Sequence, residues 1–425
     1  MGIMTLPRLS AFKLSDHLPS YTLSEAAPTF WLSFLASWTV CYLVHLQSDT
    51  TLLRRALWPV AVGANLWGVL TLDMRGQPAI WTIVGLFWFN ATSAAIRWGG
   101  ATTPPKYYPL PRQPFLDFIR QTTAFRALNL IIDEPRLISV AGSTPSPKRS
   151  AHGAWYHITR HVLYGLIEYV MFDIWTYALY HFDPFNIGHP LAASADWSRG
   201  LETISRSSGL PRLIIIPAIV LSSAAGICLS MSLVWRTAAI MAICSGLWAA
   251  EEWPEVIDRP WASSSLNELW GKRYHQLLRH GFQNYALPLS SLPSYLHILR
   301  IFLMSALYHM LCYHTQARTY LAKDMLAMFL LSGLGVEAER QYLHRTGRRV
   351  GGWTGRLWMW SWFLFCGYFM VRGLASIGML GGIRNGFASD RRGSVVEWVG
   401  YWRGWRPHPS LPLPVEGKSG WVHPM

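Results

Sequence analysis

His309 follows the uncharged run Phe302-Leu303-Met304-Ser305-Ala306-Leu307-Tyr308. An ionisable group inside an apolar, helix-forming segment is a functional candidate by default. A neutral imidazole there can take a proton from a hydroxyl. Ser305 precedes it by four residues and falls on the same helical face. The bland alternative is a histidine hydrogen-bonded to a neighbouring helix. His314 is nearer the end of the run and reads as interfacial.

Upstream lies Ser265-Leu266-Asn267-Glu268-Leu269-Trp270-Gly271-Lys272-Arg273-Tyr274-His275-Gln276, dense in polar and aromatic groups between apolar segments. On an α-helix Trp270 and Tyr274 stack, and Asn267, Trp270, Gly271 and Tyr274 form one stripe. Lys272, Arg273, Gln276 and Arg279 then point elsewhere. Two readings fit this pattern. The stretch is one wall of a chamber shared with His309, or it is an interfacial helix with aromatic anchors and snorkelling bases.

Glu168 and Asp173 also fall in an apolar run and should face a bundle interior. The cysteines, Cys41, Cys228, Cys244, Cys312 and Cys366, form no CxxC pair and read as buried thiols. No metal site is expected from them.

These residues need a scaffold. Of 425 residues, 51% are hydrophobic and 14% charged, with 23 Trp; a soluble domain carries roughly 25% charge. Several apolar runs approach the roughly 20 residues that cross a bilayer. The chain therefore reads as an all-α, polytopic transmembrane helix bundle with about 8 spans. The net charge of +14 is spread through loops, which fits bases retained on the cytosolic side and disfavours a nucleic-acid partner.

In chain order the candidate spans are Phe30–Leu46, Ala56–Leu72, Ala79–Ile96, His161–Tyr180, Leu213–Val234, Thr237–Ala250, Tyr295–Tyr313, Leu326–Ala338 and Leu357–Leu380. Phe115–Ile132 reads as a surface helix, His181–Arg212 as a polar connection, and Gly142–Ser150 as flexible. This gives an N-terminal segment 1–29 without a cleavable signal, a membrane domain 30–383, and a polar tail 384–425. The bases Arg54 and Arg55 and the long loop after Ile96 belong in the cytosol, which puts the N-terminus in the lumen. One count then fails. If every candidate crosses, the loop with Arg259, Lys272, Arg273 and Arg279 becomes lumenal, against its charge. Thr237–Ala250 is the segment to doubt.

Trp253-Pro254, Pro260 and the stretch Ser265–Gln276 resemble the signature of the wax synthase group within the membrane-bound O-acyltransferase superfamily. The usual pattern is Ser-Leu, a polar residue, then Phe-Trp-Gly-Arg-Arg-Trp-His; Leu269, Lys272 and Tyr274 depart from it mildly. Ser305-Ala306-Leu307-Tyr308-His309 is similar to the superfamily's histidine-bearing helix, and Leu330–Glu337 to the helix that follows. The resemblance covers residues 253–380.

The resemblance implies acyl transfer from acyl-CoA to an alcohol in the endoplasmic reticulum membrane. Chains of this style resemble fungal enzymes that acetylate terpenoids and meroterpenoids. It casts His309 as general base, with His275 and Asn267 as polar partners for the oxyanion. Lys272, Arg273 and Arg279 are the candidates for CoA phosphates, and Trp270, Tyr274 and Ser305 for substrate contacts. The expected cosubstrate is acetyl-CoA, with no bound cofactor, and the acceptor is an apolar hydroxylated molecule arriving from the bilayer. There is no Gly-x-Ser-x-Gly elbow, so direct transfer is the simpler scheme. The competing readings are a long-chain wax ester synthase and a transporter using Glu168, Asp173 and His309 as a path.

Overall fold

The computed structural model describes residues 18–46, 48–74, 78–107, 113–134, 140, 150–182, 197–274, 276–286, 293, 296–318 and 320–376. Within these the structure is helical. The long helices are α1 (Leu23–Leu43), α2 (Thr51–Thr71), α3 (Pro78–Gly100), α6 (Ala154–Phe182), α8 (Arg212–Cys244), α11 (His297–Ala317), α12 (Ala322–Thr346) and α13 (Gly352–Ser376). Shorter helices are α4 (Asp117–Arg120), α5 (Thr123–Ile132), α7 (Trp197–Ser208), α9 (Leu266–Glu268) and α10 (Gln276–Tyr285). The tail 384–425 and the stretch Gly142–Arg149 lie outside the described residues.

Local chemistry sets several ends. Thr22 caps α1 reciprocally with Glu25: the Thr22 backbone N–H donates to the Glu25 carboxylate at 2.8 Å. Arg54 reaches from α2 to the carbonyls of Trp98 and Ala101 at the end of α3. There the guanidinium satisfies orphan acceptors and complements the helix dipole.

The long helices alternate in direction between two faces. On the first, Leu116 N–H donates to the Gly246 carbonyl at 2.7 Å, and Arg120 pairs with Glu252 at 2.7 Å. Arg160 pairs with Glu255 at 3.1 Å, and Glu339 meets Leu266. These contacts gather the ends of α8 and α12, the start of α6 and the signature stretch. On the second face, Tyr21 N–H donates to Thr71 O at 2.9 Å and Met74 N–H to Thr315 O at 2.9 Å. Asp324 holds Arg372 there, joining the start of α12 to the end of α13.

This arrangement corrects the count. Thr237–Ala250 is not a separate element: α8 runs unbroken for 33 residues, absorbs Thr237–Cys244 with Leu213–Val234, and ends at Cys244, ahead of a tight turn at Ala250–Glu252. At 1.5 Å per residue it is about 50 Å long. With one helix fewer in the order, Arg259, Lys272, Arg273 and Arg279 lie on the face that holds Arg120 and Arg160.

Two other boundaries move. Leu326–Ala338 is the middle of a longer α12, so Glu339 and Arg340 are helical. Phe115–Ile132 is two helices, and α5 buries Ala127, Leu130 and Ile131 against α1 and α3 instead of laying that stripe on lipid.

Among the described residues one helix, Arg212–Cys244, is both long and apolar enough to cross a bilayer. The outer surface is apolar more widely: Leu163, Leu166, Ile167, Met171 and Ile174 of α6 are each more than half exposed. A contiguous patch of that kind marks a lipid or partner surface. Within the bundle Glu168 is met by Arg236 of α8 through two contacts, at 2.8 and 2.9 Å, and by Ser232 Oγ at 2.9 Å. Arg236 also reaches Glu255 at 3.0 Å.

Candidate active site

The signature stretch begins as a helix and then widens. Ser265 is the cap, its Oγ accepting from Glu268 N–H at 3.0 Å. The carboxylate of Glu339, from α12, accepts from Leu266 N–H at 2.6 Å and Asn267 N–H at 2.9 Å. It also takes the Trp358 indole N–H at 3.0 Å. A buried anion thus satisfies the orphan donors of a helix start. Gly335, one turn before Glu339, allows this approach: a Cβ there would stand 2.6 Å from Leu266.

From Leu269 to Arg273 the chain makes a π-turn, closed by Tyr274 N–H to Leu269 O at 2.8 Å. Such insertions re-aim side chains and recur at functional sites. Trp270 and Tyr274 therefore do not stack in parallel but meet edge to face, 5.3 Å apart at 88°. Trp270 meets Phe302 of α11 in the same way at 6.1 Å.

Glu268 locks the turn. One oxygen accepts from Ser264 N–H at 2.8 Å and Ser264 Oγ at 3.0 Å, the other from Arg273 Nε at 2.7 Å. Partial burial opposes ionisation, but these hydrogen bonds and the Arg273 charge hold the carboxyl below its ordinary range. Arg273 also donates to Asp258 O at 3.3 Å. Its guanidinium, half-buried, is thus engaged by Glu268 and Asp258. Lys272 is exposed. Arg279 folds back to donate to Gly271 O at 3.0 Å.

A cavity of about 240 Å³ opens between this turn and α11, lined by Asn267, Trp270, Gly271, Arg279, Phe302 and Ser305, with Phe329 of α12. Four residues expected from the sequence, Asn267, Trp270, Arg279 and Ser305, thus share one space. His275 lies outside the described residues. Tyr274 packs behind Trp270 in the cluster around Leu266 and Met359.

His309 is one turn below Ser305. Its Nδ1 is 2.7 Å from the Ser305 carbonyl. A carbonyl only accepts, so Nδ1 carries the proton and Nε2 is the basic nitrogen. The ring lies 4.5 Å from that of Phe329, a wall of the cavity. The anchor is the histidine's own helix, not a neighbour. His314, by contrast, is fully buried and bonds the Leu70 carbonyl through Nε2 at 3.0 Å, so it is structural and not interfacial.

Residues 253–334 match the family described as membrane bound O-acyl transferase. This segment is similar to that family. It contains the π-turn, the cavity wall on α11 and His309. Among curated relatives, an acetyltransferase of Arthrinium sp, atnC, is 26% identical over 148 residues, covering 30% of this chain and 34% of that protein. The acetyltransferase spyB of Aspergillus fumigatus is 36% identical over 87 residues, covering 18% of this chain and 15% of that protein. The similarity thus spans about a third or less of those relatives. No solved structure matches the chain.

Glu339 is a functional residue that the sequence alone does not single out, because it lies just past the apolar run Leu326–Ala338 with no local motif around it. Glu339→Ala leaves two backbone donors without their acceptor and should destabilise by about 1–3 kcal/mol. Acyl transfer should fall with it, and Glu339→Gln, which keeps an acceptor oxygen, should be intermediate. Thermal unfolding in detergent measures this, and an alanine variant as stable and active as wild type would remove Glu339 from the site's support.

Beyond the signature, Glu134 anchors α10 at its far end. Its Oε1 accepts from Ser93 Oγ at 2.8 Å and from Asn284 Nδ2. Burial pushes its carboxyl up to about 8, against the opposing pull of Arg97 and the Ser93 hydrogen bond. The folded protein then keeps a proton that the unfolded chain loses near its ordinary value of about 4.3, so stability falls as pH rises through about 8. Glu134→Gln should flatten that fall. Melting curves at acid and alkaline pH check it; equal slopes for both proteins would contradict it.

Proposed function

We propose that the protein is a multi-pass membrane O-acyltransferase that moves an acyl group, acetyl in the first instance, from acyl-CoA to a hydroxyl of an apolar small molecule. The observation that carries this reading is the cavity in which Asn267 and Trp270 of the signature, with Arg279 of α10, face Ser305, one turn from His309. The acetyltransferase names of the relatives and the small size of the cavity support a short acyl group, since pockets for drug-sized ligands run from about 300 Å³ upward. Terpenoid or meroterpenoid alcohols are the proposed acceptors and the endoplasmic reticulum the proposed membrane. In this reading all eight long helices cross the bilayer, within a transferase unit of residues 30–383.

In the mechanism, His309 Nε2 takes the hydroxyl proton as the acceptor oxygen attacks the thioester carbonyl carbon. The carbonyl π electrons move to oxygen, giving a tetrahedral oxyanion, for which the Asn267 amide and His275 are the proposed donors. Collapse expels the CoA thiolate, which takes the proton back from His309. The products are an ester and free CoA. Arg279, on the cavity wall, and the exposed Lys272 meet the CoA phosphates; Arg273 holds the turn. Glu168 serves as an internal counter-ion for Arg236, which argues for a structural role and against a proton path.

The experiment is expression in microsomes with labelled acetyl-CoA and a pool of hydroxylated terpenoids. A new acetyl ester is expected. Ester formation only with a long-chain donor would replace the acetyl assignment with wax synthesis, and no ester with any donor would overturn the reading.

A further inference from the structure

The turn between α12 and α13 stands clear of the bundle. Every residue from Gln341 to Arg349 is exposed, although α12 continues to Thr346. A helix end exposed on all sides packs on nothing within the protein. It carries Arg345, Arg348 and Arg349, and Arg356 follows in the first turns of α13. No acid offsets them along the chain: no Asp or Glu occurs between Glu339 and Asp390. Glu339 is engaged by the signature stretch, and Glu337 is taken by Arg340 at 2.9 Å. Among the described residues none of the four guanidiniums meets a carboxylate.

The same turn has an apolar side. Trp353 is 72% exposed and Leu357 is 55% exposed. Four residues apart on α13, they share a face. Phe365, further along, is half exposed on the same helix. The outer side of α13 is thus apolar from Trp353 onward, the pattern of a lipid-facing helix with an aromatic anchor at headgroup level. Gly355 fixes the turn against the bundle: a Cβ there would stand 2.3 Å from the Ser264 carbonyl oxygen. The arginines flank Trp353 in the chain, which sets them at the depth of lipid phosphates. None of them lines the transfer cavity.

We infer that this turn is a binding surface for an anionic phospholipid of the leaflet on the face that holds the signature stretch. Arg345, Arg348, Arg349 and Arg356 meet its headgroup phosphates, and its acyl chains lie along Trp353 and Leu357. Charge complementarity names the class. A cluster of about four or more bases beside a membrane helix attracts multiply charged headgroups, and a guanidinium meets phosphate through two parallel hydrogen bonds. Coenzyme A is also anionic, but it has no acyl chains to cover an outward-facing apolar stripe. The inference rests on the proposed reading of α13 as a crossing helix, and not on acyl transfer.

The test is binding of dioctanoyl phosphatidylinositol 4-phosphate and of dioctanoyl phosphatidylcholine to the full-length protein in neutral detergent, read as lipid-bound mass by native mass spectrometry. Wild type should bind the phosphoinositide saturably and about tenfold or more tightly than the neutral lipid, since each base near an anionic headgroup contributes about fivefold. The triple substitution Arg345→Gln, Arg348→Gln and Arg349→Gln changes only exposed side chains, so it should fold and lose that preference. Inositol 1,4-bisphosphate, the headgroup alone, should bind about tenfold or more weakly than the lipid, because it buries no apolar area. The inference is overturned by equal affinity for the two lipids, by a preference that survives the triple substitution, or by a headgroup that binds as tightly as the lipid. Displacement of the lipid by coenzyme A would assign the arginines to the acyl donor and overturn it too. Alkaline carbonate washing should leave the protein in its membranes. Release would overturn the crossing of α13 and this inference together; retention without a lipid preference would overturn the inference alone.

Discussion

His309→Ala is expected to lower acyl transfer by about 10²- to 10⁴-fold, the range for removing a positioned general base. The loss should fall on kcat, because the imidazole acts on the proton in transit while the cavity walls hold the substrates. The structure gives a reason to expect a clean effect. The side chain bonds only its own helix, at the Ser305 carbonyl, so its removal deprives no neighbouring helix of a hydrogen bond in the described structure. The variant should reach the membrane at the wild-type level. Near wild-type turnover with normal expression would exclude His309 as the base.

Arg236→Ala is expected to cost about 3–5 kcal/mol, the range for stripping one partner from a buried ion pair. Arg236 is the centre of a cluster. It binds both carboxylate oxygens of Glu168, reaches Glu255, and sits 5.2 Å from the Tyr164 ring centre. Its removal leaves Glu168 charged in a half-buried position on α6, with only Ser232 Oγ bonded to it. The double substitution Glu168→Gln with Arg236→Gln removes both charges and should recover much of the loss, which separates an unpaired charge from lost packing. Thermal unfolding in detergent reads both. A single variant within about 0.5 kcal/mol of wild type, as at an exposed site, would show that the pair does not brace α6 against α8.

The helical bundle was legible because long apolar runs have few alternatives, and the charge of the basic loops already set Thr237–Ala250 apart as the segment to doubt. The extra crossing arose because Arg236 interrupts the apolar run between Val234 and Thr237. A charge there looks like a boundary until its partners on α6 and after α8 are known. In the signature, residue types pointed to a polar cluster, but helical periodicity misplaced its members. The π-turn shifts the phase after Leu269, so Trp270 meets Tyr274 edge to face. Arg273 could not be told from Lys272 by spacing, since its engagement depends on Glu268 and on Asp258, fifteen residues away. Glu339 was beyond local reading altogether. It caps a helix more than seventy residues upstream, a pairing that only the packing of α12 creates. That Ser305 and His309 share one helical face was readable because one regular helix carries both.

In the proposed mechanism the cavity between the signature turn and α11 receives the acyl-CoA thioester beside His309. Its most direct test is chemical protection of Ser305→Cys, in a background where the exposed Cys244 is replaced by serine. A small methanethiosulfonate reagent should label the new thiol, and a non-transferable acetyl-CoA thioether should block the labelling in proportion to its occupancy. Labelling that proceeds unchanged while the same thioether inhibits turnover would contradict the claim, since the donor would then bind elsewhere.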